Sequence, residues 1–410
     1  MKRSFFFLLL SVLLPFGIRA QWSAQNSGTT NALNEIVFPA ADTGFVAGEN
    51  GTLLRTYNGG QSWAALSSGT SKHLTDVFFL NTQTGFVVGD SGYFGKTTDG
   101  GDTWMVSYLT SVGQVSLGAV CFTTSQIGYA AGNEGFMYGI IYKTINGGTS
   151  WTICNTPASF MSISYSRLVF PAPTVGYALT RGMCMKTIDA GNNWFITDTA
   201  YVNSGAMFSI LEDAHFFSQD TGYIVGWYNG FTGYTVNGGT NWTDHFVLGT
   251  QWYAVDFPSR QVGYLVGWGQ LGKTIDGGLT WQDITTPLIQ SSGIYSMKFT
   301  DNNTGYACGT NGLIIKTTNG GTTGIADEMS NAVLSVYPNP SSGILRCQVS
   351  GVRCQKPEIT NVLGERVTAD NLIIDKDVVQ IDLSSSPSGI YFIRILVEDQ
   401  TMRTAKVILE

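Results

Sequence analysis

Four patterns in this chain invite a chemical reading. Asp99, Asp189 and Asp276 each stand in a Thr-x-Asp-x-Gly turn, where a carboxylate would suit a catalytic acid or a calcium ligand. The tetrapeptide GDSG at residues 89–92 sets a serine between tight-turn residues, as a nucleophile requires. Residues 267–272, GWGQLG, fit the G-x-G-x-x-G spacing that lets a backbone approach a pyrophosphate. His73, His215 and His245 are the residues best suited to bind a metal or move a proton near neutral pH. Comparing the chain with itself removes most of these readings.

One phrase is written seven times. Its anchor is a Gly followed by Phe or Tyr, at Gly44, Gly85, Gly128, Gly176, Gly222, Gly263 and Gly305. Six residues before each anchor stands a Phe: Phe38, Phe79, Phe122, Phe170, Phe216, Phe257 and Phe299. Four residues after it comes a second Gly in every repeat except the fourth, which has Thr180. A spacing of about 40 to 50 residues, filled with short β-branched and aromatic runs between Gly and Asn turns, suits one four-stranded propeller blade per repeat.

Each repeat closes on a second phrase, Ser/Thr-x-Asp/Asn-x-Gly-x-x-Trp. Its residues are Asn58, Gly60 and Trp63, then Asp99, Gly101 and Trp104, then Asn146, Gly148 and Trp151. They continue as Asp189, Gly191 and Trp194, then Asn237, Gly239 and Trp242, then Asp276, Gly278 and Trp281. The physical reading is a turn: the Asn or Asp oxygen accepts from backbone N–H groups ahead of it, and the Gly takes a positive φ. Asn fills the Asp position in the other repeats, so Asp99, Asp189 and Asp276 are expected to build turns rather than to react or bind calcium. The seventh copy lacks its Trp. The match between residues 22–29, WSAQNSGT, and residues 63–70, WAALSSGT, predicts that the start of the chain supplies that Trp and the last strand of the final blade.

The phrase resembles the Asp-box of bacterial sialidase-type propellers. The repeat as a whole resembles propellers of the photosystem II stability and assembly factor type. Both resemblances imply an all-β propeller, to which the seven repeats give seven blades, and the second implies a non-enzymatic scaffold for protein binding. Arg55, Lys96, Lys143, Lys186, Lys273 and Lys316 precede the box Thr, and a solvated strand face is the expectation for them. A sialidase would need an arginine cluster, and residues 21–324 hold only Arg55, Arg167, Arg181 and Arg260.

In this frame GDSG aligns with GENG at residues 48–51, and GWGQLG lies in the same turn with no helix after it, so both read as repeat turns. The histidines show no metal-ligand spacing. No metal and no cofactor are expected. What the repeat does not dictate is the residue five after the anchor: Glu49, Asp90, Asn133, Arg181, Trp227, Trp268 and Thr310. It falls in the turn between the second and third strands, on the face opposite the Asp-boxes. Trp227 with its neighbour Tyr228, Trp268 and Arg181 are therefore the candidate ligand-binding residues. Trp252 aligns with Leu, Ile and Tyr and reads as core.

The ends of the chain differ from the repeats. Lys2 and Arg3 precede an apolar run and Ala20, which reads as a signal peptide over residues 1–20. No later run has the length of a transmembrane helix. The propeller is expected over residues 21–324, a linker over 325–332 and a small β-sandwich over 333–410. Within the last segment come YPNPSSG, NVLGERV, IDLSSSPSGIYFIRI and Lys406. It resembles the type A sorting domain of the type IX, or Por, secretion system of Bacteroidota. That resemblance implies the secretion machinery as a partner, cleavage of the domain, and release or display at the outer cell surface.

Composition narrows the rest. Charged residues are 12% of the chain and the net charge is −7, which disfavours nucleic acid as a partner. Six cysteines in an exported chain permit disulfides, with Cys347 and Cys354 close enough in sequence to bridge. Three classes of function stay open: a binding module for a protein or glycan, a glycoside hydrolase marked by paired acids at the channel mouth, and an architectural surface component.

Overall fold

The computed structural model describes residues 22–109, 115–135, 138–157, 165–180, 183–197, 210–227, 231–246, 251–321, 334–349, 357–361, 366–375, 378–396 and 402–410. The expected signal peptide, Tyr228, Arg181, the linker and Cys354 lie outside the described residues. The chain divides into two compact units, Met1–Thr322 and Thr323–Glu410.

The first unit is a propeller of seven antiparallel four-stranded sheets. Blade 1 runs outward through Leu33–Val37, Gly44–Gly48, Leu53–Thr56 and Ala64–Ala65. The innermost strands of the next six blades are Leu74–Phe79, Val115–Phe122, Tyr165–Val169, Leu211–Phe216, Trp252–Asp256 and Ile294–Phe299. Each touches the next, and the seventh touches the first, so together they wall a central channel. The outer strand of blade 7 is Ser23–Gln25, paired with Ile314–Thr317 with Ser23 opposite Lys316. This closure leaves no edge open between the first and last blades.

Aromatic stacking explains the anchor phrase. In every blade the Phe six before the anchor stacks on the aromatic residue that follows the anchor of the preceding blade. Phe79 lies 3.6 Å from Phe45, Phe122 lies 3.5 Å from Phe86, and Phe38 of blade 1 lies 3.9 Å from Tyr306 of blade 7. The box Trp meets the same Phe edge-on, as in Phe38–Trp63 at 6.1 Å and 87°, and Trp22 does so against Phe299. Such pairs add about 0.5–1.5 kcal/mol each beyond the area they bury. The anchor must be Gly because a Cβ there would come within 2.4 Å of the Phe79 ring at Gly85, and within 2.3 Å of Phe257 at Gly263.

The second unit holds a four-stranded sheet, in the order Leu334–Tyr337, Ile344–Val349, Val378–Asp382 and Asn371–Asp375. Its second sheet is Glu358–Asn361, Gly389–Leu396 and Met402–Leu409. Alternate residues Leu345, Cys347, Val379, Ile381, Ile393, Ile395 and Val407 form its core. Alternation of apolar and polar residues along strands is what a sandwich of two half-buried sheets requires.

Candidate functional site

The Asp-boxes are turns. In blade 2 the Thr97 hydroxyl donates to Asp99 Oδ1 at 2.7 Å and accepts from the Gly101 N–H at 2.9 Å. Asp99 Oδ1 accepts from the Thr103 N–H at 2.9 Å and Oδ2 from its hydroxyl at 2.6 Å. These bonds from Thr103, with that of Thr97, hold the Asp99 carboxyl down at about 2. Blades with Asn repeat the geometry: Asn146 Oδ1 accepts from Thr144 Oγ1 and from the Ser150 N–H, both at 2.9 Å. Among the described residues no cluster of His, Cys, Asp and Glu fits a metal ion.

The Lys/Arg column is not a solvated strand face. Lys96 Nζ donates to the Gly147 carbonyl of the next blade at 3.0 Å, Lys186 to Gly238 at 2.8 Å, and Lys316 of blade 7 to Gly59 of blade 1 at 2.6 Å. Arg55 reaches Gly100 and Asp102, each at 2.7 Å. These cations latch blades 1, 2, 4 and 7 to the Asp-box of the next blade, which a one-dimensional reading of the repeat cannot show. Cys121, Cys154, Cys184 and Cys308 are buried and unbridged.

Apart from His215, the channel holds groups that the sequence did not mark as candidates. Every innermost strand breaks register at one place, between the residues eleven and nine before the anchor, as at Leu33/Glu35 and Leu74/Asp76. A β-bulge re-aims side chains. Here the bulged column, ten before the anchor, lines one mouth of the channel in all seven blades: Asn34, Thr75, Gly118, Ser166, Glu212, Tyr253 and Tyr295. This is the end of the strands bearing the turns between second and third strands, since Leu33 pairs with Gly48.

One residue deeper, at nine before the anchor, the ring reads Glu35, Asp76, Ala119, Arg167, Asp213, Ala254 and Ser296. Arg167 of blade 4 spans to blade 1, with Nη1 3.0 Å from Glu35 Oε1, and its Nε lies 2.8 Å from Asp213 Oδ1. The acids also cap the free edges of neighbouring inner strands. Asp76 Oδ2 accepts the Val120 N–H at 2.7 Å, and Asp213 Oδ2 accepts that of Val255 at 3.0 Å. Burial raises the Glu35, Asp76 and Asp213 carboxyls, and the Arg167 charge pulls each back down. Towards the Asp-box face the channel opens into a cavity of about 550 Å³. There Asp256 Oδ1 meets Lys298 Nζ at 2.8 Å and His215 Nδ1 at 3.4 Å.

Aromatic rings flank the first mouth. Trp227 is 40% and Trp268 48% exposed, whereas Trp252 is 1% exposed. The Trp227 indole lies beside the Tyr253 hydroxyl, which donates to Gln251 Oε1 at 3.0 Å. Tyr253 meets Tyr295 edge-on at 5.6 Å and 90°. Trp268 packs over Gly293, so that a Cβ on this glycine would lie 3.0 Å from both Trp268 Cε3 and Tyr295 Cε1. The candidate tryptophans thus join two tyrosines that the sequence reading left out. A signal existed: the column ten before the anchor varies as freely as the one five after it.

Comparisons with known proteins agree with this geometry. Residues 335–410 match the family described as the secretion system C-terminal sorting domain, and residues 61–207 match that of the photosynthesis system II assembly factor YCF48. The chain is an Asp-box propeller of YCF48-like type fused to a Por secretion sorting domain. The propeller superposes on YCF48 bound to D1 peptide with TM-score 0.59 and 20% identity, over 73% of this chain and 97% of that one. PorZ, an essential surface component of the type IX secretion system of Porphyromonas gingivalis, gives TM-score 0.52 and 13% identity over 90% of this chain and 58% of its own. An ancestral GH74 enzyme gives 0.55 and 13%, over 94% of this chain and 63% of its own. At these identities the likeness to solved structures is one of fold. No curated protein matches the chain.

Proposed function

We propose that this protein is a non-enzymatic binding propeller, exported by the type IX secretion system to the outer cell surface or the medium, that recognises a protein or glycan on its turn face. The observation that carries the reading is the aromatic rim at the channel mouth. Trp227 and Trp268 stand exposed on neighbouring blades beside Tyr253 and Tyr295, and the fold needs neither tryptophan. Half-exposed aromatics grouped at a concave site are typical anchors for partners. Tyr228 follows Trp227 in sequence, Arg181 holds the same repeat column in the fourth blade, and both belong to the same proposal. A related fold seen with a bound peptide, YCF48 with D1 peptide, supports a protein ligand.

The hydrolase reading is the weaker one. Acids do line the channel, but Glu35 and Asp213 grip the same guanidinium and Asp76 and Asp213 cap backbone N–H groups. A two-carboxylate mechanism needs the space between the acids open to a sugar and water, and Arg167 fills it.

The sorting-domain match supports the export route, and no described helix is long and apolar enough to span a membrane. On this route residues 1–20 are removed as a signal peptide, 21–324 form the cargo, 325–332 the linker, and 333–410 the domain read by the secretion machinery. Cleavage is expected within residues 322–336, and an intact mass showing residues 337–410 on the secreted product would refute it. The ligand site is tested by replacing Trp227 and Trp268 with Ala in the full chain and screening oligosaccharide and peptide libraries. Loss of each anchor should weaken binding about 10-fold or more, with the melting temperature nearly unchanged. Unaltered affinity in the double variant would sink the site.

A further inference from the structure

We infer that the mouth of the propeller channel receives a basic side chain, a lysine or arginine presented by a partner protein, with its cationic head among the channel carboxylates and its stem against the aromatic rim. The inference rests on the turn face being the binding face, and adds the chemistry of what enters it.

Size is the first argument. The mouth encloses about 340 Å³, at the small end of ligand cavities. That is room for one long side chain and a few waters rather than for an extended chain of sugar rings.

Charge is the second. Four acids line this cavity (Glu35, Asp76, Glu212 and Asp213) against one cation, Arg167. Arg167 is committed to Glu35 and Asp213. Asp76 is only 6% exposed and accepts the backbone N–H of Val120, and among the described residues no cation lies within salt-bridge distance of it. A buried carboxylate short of a counter-charge is costly unless a cation reaches it. Burial is accordingly what raises its carboxyl, against the pull of the more distant Arg167. At the rim, burial raises the Tyr253 and Tyr295 hydroxyl groups, and the nearby charges of Glu212 and Glu49, respectively, add to it. An anionic ligand would meet this field as repulsion.

The aromatic wall is the third and is independent of charge. Tyr253 and Tyr295 stand at the entrance, continued outward by Trp227 and Trp268. Lysine and arginine bury apolar stems along such surfaces and hold their heads over ring faces. A neutral apolar group would gain the rings but leave Asp76 unanswered; a free inorganic cation would gain the acids but not the rings.

The test screens the full chain against bead-displayed octapeptides, decoded by sequencing, alongside an array of neutral oligosaccharides. Lysine or arginine should be enriched at one position at least 10-fold over norleucine or citrulline, and the preference should weaken with added salt. Asp76→Asn keeps an acceptor for Val120, and Glu212→Gln changes a residue at the rim. Each should cut the lysine-to-norleucine ratio about 5- to 10-fold while norleucine peptides bind as before. Peptides retained equally with lysine and norleucine would overturn the inference and leave the binding reading standing. Oligosaccharides retained without peptides would also overturn it, assigning the face to glycans. Retention of neither would bring down the binding reading itself.

Discussion

Replacing Arg167 with Met should destabilise the propeller at neutral pH far more than in acid. The substitution keeps much of the stem's volume and removes the charge that sits between Glu35 and Asp213, at 3.0 and 2.8 Å, with Asp76 nearby. Breaking a buried pair by deleting one partner costs about 3–5 kcal/mol. The Arg167 side chain is 30% exposed, so solvent screens part of the interaction and the lower end, about 3 kcal/mol, is expected. For a propeller of this size, that is a fall of about 5 °C in melting temperature. The pH dependence follows from the raised carboxyls. A group whose pKa is higher folded than unfolded contributes fully below its unfolded value, near 4, and loses that contribution as pH rises through the folded value. Without Arg167 the three carboxyls rise further, so the penalty is largest at pH 7 and shrinks toward pH 4. Tryptophan emission isolates the propeller, because all 10 Trp precede residue 322. Urea titrations of wild type and Arg167→Met at both pH values supply the measurement. A loss under about 1 kcal/mol at pH 7, or an equal loss at pH 4, would refute an electrostatic tie across the channel.

The turn and closure readings give further tests. Asn146→Ala removes the oxygen that accepts from Thr144 and Ser150 and should cost about 1–2 kcal/mol; Asn146→Asp, the residue used in other blades, should be close to neutral by the same titration. Trp22→Ala takes a side chain that is 2% exposed from the closing blade and should cost about 3–5 kcal/mol. A Trp22→Ala protein that melts like wild type would mean the first strand does not close the ring.

Much of the fold was legible because the chain repeats itself. Seven anchors, seven Phe residues and the box Asn and Asp could be compared column by column, and a column that never varies marks a packing or turn demand. The Phe and Gly columns answer to the stacked rings between blades, where a Cβ on Gly85 would meet Phe79 at 2.4 Å. The Trp missing from the last box, with its duplicate at Trp22, discloses the closure. The same logic set Trp227 and Trp268 apart from Trp252.

The channel was not legible in that way. Arg167 and Glu35 are 132 residues apart and share a column nine before the anchor. Their pairing depends on the ring bringing blade 4 opposite blade 1, and no local pattern encodes which members of a column meet. The bulge that turns Tyr253 and Tyr295 into the mouth is a register shift between strands, invisible to alternation along one strand. The lysines before each box read as solvated until the neighbouring blade's carbonyls came within reach of them. What each blade is can be read locally, because turns, strand periods and ring stacking are short-range demands written into every repeat. What the blades do together follows from closure of the ring, which alone sets the charge pairing across the channel and an aromatic rim drawn from three blades.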